Sequence, residues 1–123
     1  MDNVPIFYVN LERSRERRER MEAMFREWKL DRYTRVEAFD GAALVGDPQR
    51  LAYTVSLPPN HGMNPGELGC TLSHLRVAEM VLASGHAYAL VMEDDIHLTY
   101  LPLWKTTLEE IVSQAPLDWQ VRR

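Results

Sequence analysis

The chain is poor in cysteine, has no long apolar run and carries no strong excess of charge. A single thiol, Cys70, among 123 residues excludes an intrachain disulfide framework and fits a reducing compartment. No stretch approaches the roughly 18–20 apolar residues that span a bilayer. Met1-Asp2-Asn3-Val4-Pro5 has neither the basic nor the apolar region of a secretion signal, so the expectation is a cytoplasmic protein. A net charge of −4 implies no general attraction to nucleic acid. Repeats and low-complexity segments are absent. What remains, 46% hydrophobic and 26% charged residues, suits one small globular domain over residues 1–123.

Hydrophobic periodicity divides that domain. Pro5 to Leu11 reads as a buried first strand that turns polar at Asn10 and Glu12. Ser14 is a candidate N-cap for a charged helix whose one apolar stripe is Met21, Met24, Phe25 and Trp28, core contacts at helical spacing. Tyr33 to Phe39 reads as a second strand ending at the turn signal Asp40-Gly41. Residues 42–65 form an irregular loop punctuated by glycine and proline, with a short strand or helix around Leu51 to Leu57. Tyr53, Asn60 and His61 give this loop contact chemistry, which favours a binding role. Gly66 to Ser84 is a helix with Leu68, Leu72, Leu75, Ala78, Met80, Val81 and Leu82 as its apolar face, opened near Pro65 and closed by Gly85. Ala87 to Met92 is a buried strand, Leu103 to Gln114 a helix stopped by Pro116, and Asp118 to Val121 the opening of one more strand. The order β-α-β-loop-α-β-α-(β) predicts an α/β fold with a mainly parallel sheet. Ligands of such sheets bind beyond the carboxyl ends of the strands. Three polar strand ends should therefore converge: Asn10 to Arg13, Glu37 to Asp40, and Glu93 to Asp95.

The last of these carries the most chemistry. Unpaired carboxylates resist desolvation, so Glu93-Asp94-Asp95 after an apolar strand points to a hard divalent cation shared with a substrate phosphate; the bland alternative is an acidic turn. Strand phase puts Glu93 and Asp95 on one side and Asp94 on the other. Two glycines early in a helix, Gly66 and Gly69, cost roughly 1 kcal/mol each relative to alanine, which implies close backbone approach. Ser73 and His74 follow; His74 either meets a phosphate or sugar hydroxyl or is satisfied by backbone carbonyls. Cys70 reads as a small buried packing residue. His61, His74, His86 and His97 with one cysteine show no zinc-ligand spacing, and His97 reads as a surface residue rather than a ligand beside Asp95. Arg13, Arg15, Arg17, Arg18 and Arg20 alternate with glutamates. They fit a solvated helix face laced with i,i+4 pairs, or, near the helix start, a contact to phosphate or an anionic surface.

Four segments in order resemble glycosyltransferase family 25, the lipooligosaccharide biosynthesis type. They are Ile6-Phe7-Tyr8-Val9-Asn10-Leu11 with Arg17-Arg18 and Met21, Arg35-Val36-Glu37-Ala38-Phe39-Asp40-Gly41, Gly66-Glu67-Leu68-Gly69-Cys70-Thr71-Leu72-Ser73-His74, and Ala89-Leu90-Val91-Met92-Glu93-Asp94-Asp95. The resemblance implies a GT-A-like, Rossmann-like three-layer sandwich of the nucleotide-diphospho-sugar transferase type, of which this chain is the N-terminal, donor-binding portion. It implies transfer of a hexose, galactose, from a UDP-sugar to a hydroxyl of a lipid-linked oligosaccharide, with inversion. Asp95 would coordinate Mn²⁺ or Mg²⁺, with Glu93 near the ribose or the metal and Asp94 among the substrate-binding residues. Asn10, Leu11 and Arg13 would contact the nucleotide, Glu37, Asp40 and Gly41 would line the same crevice, and Ser73 and His74 would support the donor pocket. No residue emerges as the general base. Family members run further past the acidic motif, so the competing expectation is a truncated, non-catalytic nucleotide-sugar-binding or interaction module. Such a chain would sit at the inner face of the inner membrane through its acceptor, and an exposed sheet edge would invite pairing with a second copy.

Overall fold

A computed structural model describes residues 4–44 and 62–119, and its centre is the first strand. β1 (Ile6–Asn10) lies between β2 (Tyr33–Glu37) and β3 (Leu90–Glu93) in a sheet of order β2-β1-β3, and both pairings are parallel. Successive side chains of a strand point to opposite faces. Ile6 and Tyr8 therefore enter one core with Met21, Met24 and Phe25 of α1 (Arg15–Glu27), joined by Leu30, Met92 and Leu98. Phe7 enters the other, with Val36 and with Val77 of α3 (Pro65–Ser84). Helices on both faces make three layers, a Rossmann-like arrangement, and explain why β1 reads as an unbroken apolar run. The stripe Met21, Met24, Phe25 is buried as its spacing predicts, with Trp28 packed beside it.

Tyr8 is fully buried, with its ring edge-on to Phe25 and Tyr33. Its hydroxyl donates to Glu22 Oε1 at 2.7 Å. Burial first, and then the Glu22 acceptor and its charge, hold the phenol proton well above the ordinary tyrosine range.

α3 is framed by its termini. The Asn64 side chain accepts from the Glu67 N–H while the Glu67 carboxylate accepts from the Asn64 N–H, a reciprocal capping box. Pro65 occupies the first turn and Gly85 closes the helix in the left-handed region at φ 76°. The helix also approaches another backbone. A Cβ on Gly69 would sit 2.8 Å from the Gly41 nitrogen and the Phe39 carbonyl oxygen, and one on Gly41 would run into the Pro65 carbonyl. The close approach expected of the glycine pair is thus made at Gly69, against the turn leaving β2.

Several boundaries differ from expectation. β2 ends at Glu37, although the Ala38 N–H still bonds the Asn10 carbonyl. Gly41–Leu44 is a one-turn helix, α2, rather than irregular chain. β3 begins at Leu90 instead of Ala87 and includes Glu93; with β1 as its one strand neighbour among the described residues, it leaves Val91 exposed. On α3 the buried positions are Leu68, Gly69, Leu72, Ser73 and Val77, while Leu75, Ala78 and Leu82 face outward, because one helical face cannot hold every apolar residue of the run. The helix expected from Leu103 becomes a 3₁₀ turn, Leu101–Leu103, and then α4 (Leu108–Gln114), whose start is set by a Thr107–Glu110 capping box. Asp118 lies in a turn, so no strand opens at Asp118-Trp119. Ser14 takes the cap position of α1 without a side-chain cap bond. The loop expectations at Leu51 to Leu57, Tyr53, Asn60 and His61 fall outside the described residues. Among the described residues no helix is long and apolar enough to cross a membrane.

Two outcomes test these contacts. Gly69→Ala should destabilise the fold by about 1–3 kcal/mol in denaturant titration, reversing the usual helix gain from alanine, because its Cβ meets backbone. The Tyr8 shift is upward, so the stability it contributes is present below the ordinary tyrosine pKa of about 10 and is lost as pH rises beyond it. Melting temperature should therefore fall on the alkaline side, and Tyr8→Phe should flatten that fall.

Candidate functional site

The parallel register brings the carboxyl ends of the strands to one edge, where Asn10 pairs with Glu37 and Val9 with Glu93. The pleat turns Asn10 toward the α1 side, and there it is 1% exposed. Its Oδ1 accepts from Arg18 Nε at 3.1 Å and Arg35 Nε at 3.0 Å. Its Nδ2 donates to Asp94 Oδ2 at 2.7 Å and to the Ser14 carbonyl at 3.1 Å. Two guanidinium donors fix which end of the amide is oxygen. All four hydrogen-bonding positions of this side chain are engaged within the protein.

The arginine-rich run serves the same edge. Arg17 pairs with Asp94 Oδ1 at 3.2 Å, and Arg20 donates to the backbone carbonyls of Asp94 at 2.7 Å and Ile96 at 2.8 Å. Arg18 and Arg35 both reach Glu12. Among the described residues Arg17, Arg20 and Arg35 clamp strand ends across long sequence separations, Arg18 reaches back to the end of β1, and no i,i+4 ion pair laces the helix. His97 is exposed, with Nδ1 3.3 Å from Arg20 Nη1.

The acidic triplet divides. Asp94, whose side chain is only 13% exposed, joins Asn10 and Arg17 on the α1 side. Glu93, half-exposed, sits on the α3 side with Oε1 3.4 Å from His74 Nε2. Asp95 is exposed and has no hydrogen-bond or ion-pair partner among the described residues. Cys70 is exposed rather than buried, since α3 turns that position away from the sheet. It stands with His74 and Glu93 so that their ligand atoms lie within 4.8 Å of one another. The sequence shows no zinc-ligand spacing, and the fold adds to Cys70 and His74 a third side chain, Glu93, from a different element.

Between the ends of β1 and β2 a cleft of about 460 Å³ opens, with Leu11, Arg13, Glu37, Phe39, Asp40 and Arg76 among its walls. Arg13 and Asp40 form an ion pair there. Arg76 donates to the Glu37 carbonyl at 2.7 Å, and its guanidinium lies 3.8 Å from the centre of the Phe39 ring. Ser73 is buried beneath: its hydroxyl accepts from the Phe39 N–H at 2.9 Å and donates to the Gly69 carbonyl at 2.6 Å. Gly41 packs on the start of α3. The structure therefore gathers Leu11, Arg13, Glu37 and Asp40 around one cleft and leaves Glu93 and Asp95 accessible. It places Asn10, Asp94, Ser73 and Gly41 in the supporting framework. Arg35 and Arg76 were not among the residues anticipated for the site; Arg35 opens the second matching segment, whereas Arg76 carries no local signal.

The profile of glycosyltransferase family 25 (LPS biosynthesis protein) matches residues 3–116. The chain is 37% identical over 115 residues to a candidate glycosyltransferase of Acanthamoeba polyphaga mimivirus, covering 91% of this chain and 34% of the relative. It is 33% identical over 124 residues to procollagen galactosyltransferase 2 of Mus musculus, covering 94% of this chain and 20% of the relative. It is 37% identical over 119 residues to a glycosyltransferase 25 family member of Aedes aegypti, covering 89% and 19%. This chain belongs to glycosyltransferase family 25, and it spans about a third or less of the length of these curated relatives.

The framework role of Asn10 gives a direct test. Asn10→Ala should lower unfolding free energy by about 3 kcal/mol, because it strands buried charge-assisted partners on Arg18, Arg35 and Asp94. Chemical denaturation of the purified chain measures it; a loss below about 1 kcal/mol would contradict the hub.

Proposed function

We propose that these residues form the donor end of a glycosyltransferase that moves a hexose, galactose, from a UDP-sugar to a glycan hydroxyl with inversion at the anomeric carbon. Family membership supports the reaction class, and the galactosyltransferase name of relatives supports the sugar. The observation that carries the reading is the cleft at the carboxyl edge of a parallel sheet, walled by Arg13 and Arg76, with exposed Glu93 and Asp95 at the same edge. Leu11 offers an apolar wall, and Arg13 and Arg76 supply positive charge for a diphosphate. The family's description supports a lipid-linked oligosaccharide as acceptor, which would bring the protein to the inner face of the membrane.

The residues also fit a Mn²⁺ or Mg²⁺ ion. Hard cations take oxygen ligands. Asp95 has no partner among the described residues and Glu93 is half-exposed, so both carboxylates are accessible, while Asp94 is committed to Asn10 and Arg17. Asp95 with Glu93 would hold the ion, which supplies positive charge against that gathering on a departing nucleoside diphosphate. Asn10 and the arginines keep the acidic turn in place, and the cleft walls orient the nucleotide.

Calorimetry with UDP tests this reading. UDP should bind the purified chain with Mn²⁺ present, and Asp95→Ala should weaken that binding about tenfold or more. UDP binding indifferent to both Mn²⁺ and Asp95→Ala, or no binding, would overturn it.

A further inference from the structure

Cys70 and His74 stand one helical turn apart, both on the exposed side of α3. Glu93 reaches the same place from the sheet. In β3, Met92 goes into the core shared with α1, so its neighbour Glu93 turns to the side that α3 covers. The three side chains come from two elements separated in sequence, and neither element alone could assemble them.

We propose that Cys70, His74 and Glu93 form a binding site for Zn²⁺, three protein ligands with a fourth position open to solvent. The ligand atoms lie within 4.8 Å of one another. Tetrahedral zinc with bonds of about 2.0–2.1 Å to nitrogen and oxygen has an N···O edge of roughly 3.3 Å. The His74–Glu93 separation of 3.4 Å matches that edge. The sulfur closes the remaining distance by rotation of an exposed side chain.

Among the described residues, His74 and Glu93 are each other's only side-chain hydrogen-bond partners and Cys70 has none, so no competing bond holds the ligands back. A groove of about 570 Å³ lined by Glu67, Cys70, Thr71, His74 and Leu75 leaves room for a water in the fourth position. The donor set decides the ion. Thiolate and imidazole suit zinc and its borderline neighbours, whereas Mg²⁺ and Mn²⁺ favour oxygen ligands. A thiolate and a carboxylate together balance a divalent charge, and the thiol yields its proton on binding. Glu93 is shared with the donor reading, but Cys70 and His74 belong to this site alone, and the donor reading turns on Asp95 and a hard cation.

Cobalt reports such a site optically. The purified chain, reduced and stripped of metal, should take up Co²⁺ to one ion per chain, with a near-ultraviolet thiolate-to-cobalt band and intense visible bands of tetrahedral geometry. Zn²⁺ should abolish both sets of bands, and excess Mg²⁺ should leave them. Cys70→Ser should remove the near-ultraviolet band, and His74→Ala and Glu93→Gln should each weaken Co²⁺ binding about tenfold or more. His97→Ala should leave binding unchanged. All three ligand residues are exposed, so the variants should melt like the parent. No thiolate band, or bands kept at unchanged affinity in both His74→Ala and Glu93→Gln, would overturn the site.

Discussion

The carboxyl edge of the sheet is held by one buried amide. Asn10 ends the central strand, and its side chain joins two guanidinium groups on one side to a carboxylate and a helix-start carbonyl on the other. Bare arginine–aspartate pairing would bring charge into a crowded interior at a desolvation cost that Coulomb attraction alone does not always offset. An intervening neutral amide satisfies both signs without carrying charge. Arg20, on the same helix as Arg18, donates to the backbone carbonyls of Asp94 and Ile96 and ties the acidic turn after β3 to α1.

That arrangement gives the three consecutive acids different jobs. Asp94 is internal and structural, Glu93 faces the second helix layer, and Asp95 faces solvent. The pleat separates Glu93 from Asp94, and the strand ends at Glu93, so the turn through Asp94 and Asp95 takes Asp95 away from the side that strand phase would give it. What this edge offers a ligand therefore depends on which acid the ligand meets, and the side toward α3 presents sulfur and nitrogen as well as oxygen.

Much of this was legible in the sequence. The unbroken apolar run of β1, the Met21, Met24, Phe25 stripe and the Pro65 and Gly85 brackets of α3 each report local rules that the fold obeys. Convergence of polar strand ends followed from the alternation of elements alone. What escaped is tertiary in origin. Cys70 reads as a core residue by composition, yet the same helix buries Gly69 beside it, where another backbone passes too close for a side chain. Leu75 and Leu82 count as apolar in any pattern, but the sheet covers a narrower strip of α3 than the run supplies. The role of Arg17 and Arg20 was missed because their partners lie some 70 to 80 residues away in sequence, beyond any helical spacing.

The choice of asparagine at the centre of this edge has a chemical corollary. A carboxylic acid or an imidazole there would change sign or donor pattern as acidity changed around it. A carboxamide neither gains nor loses a proton in ordinary water, so its polarity is permanent. With oxygen toward Arg18 and Arg35 and nitrogen toward Asp94, it acts as a permanent dipole wedged between opposite charges, its direction set by those partners and its strength independent of acidity.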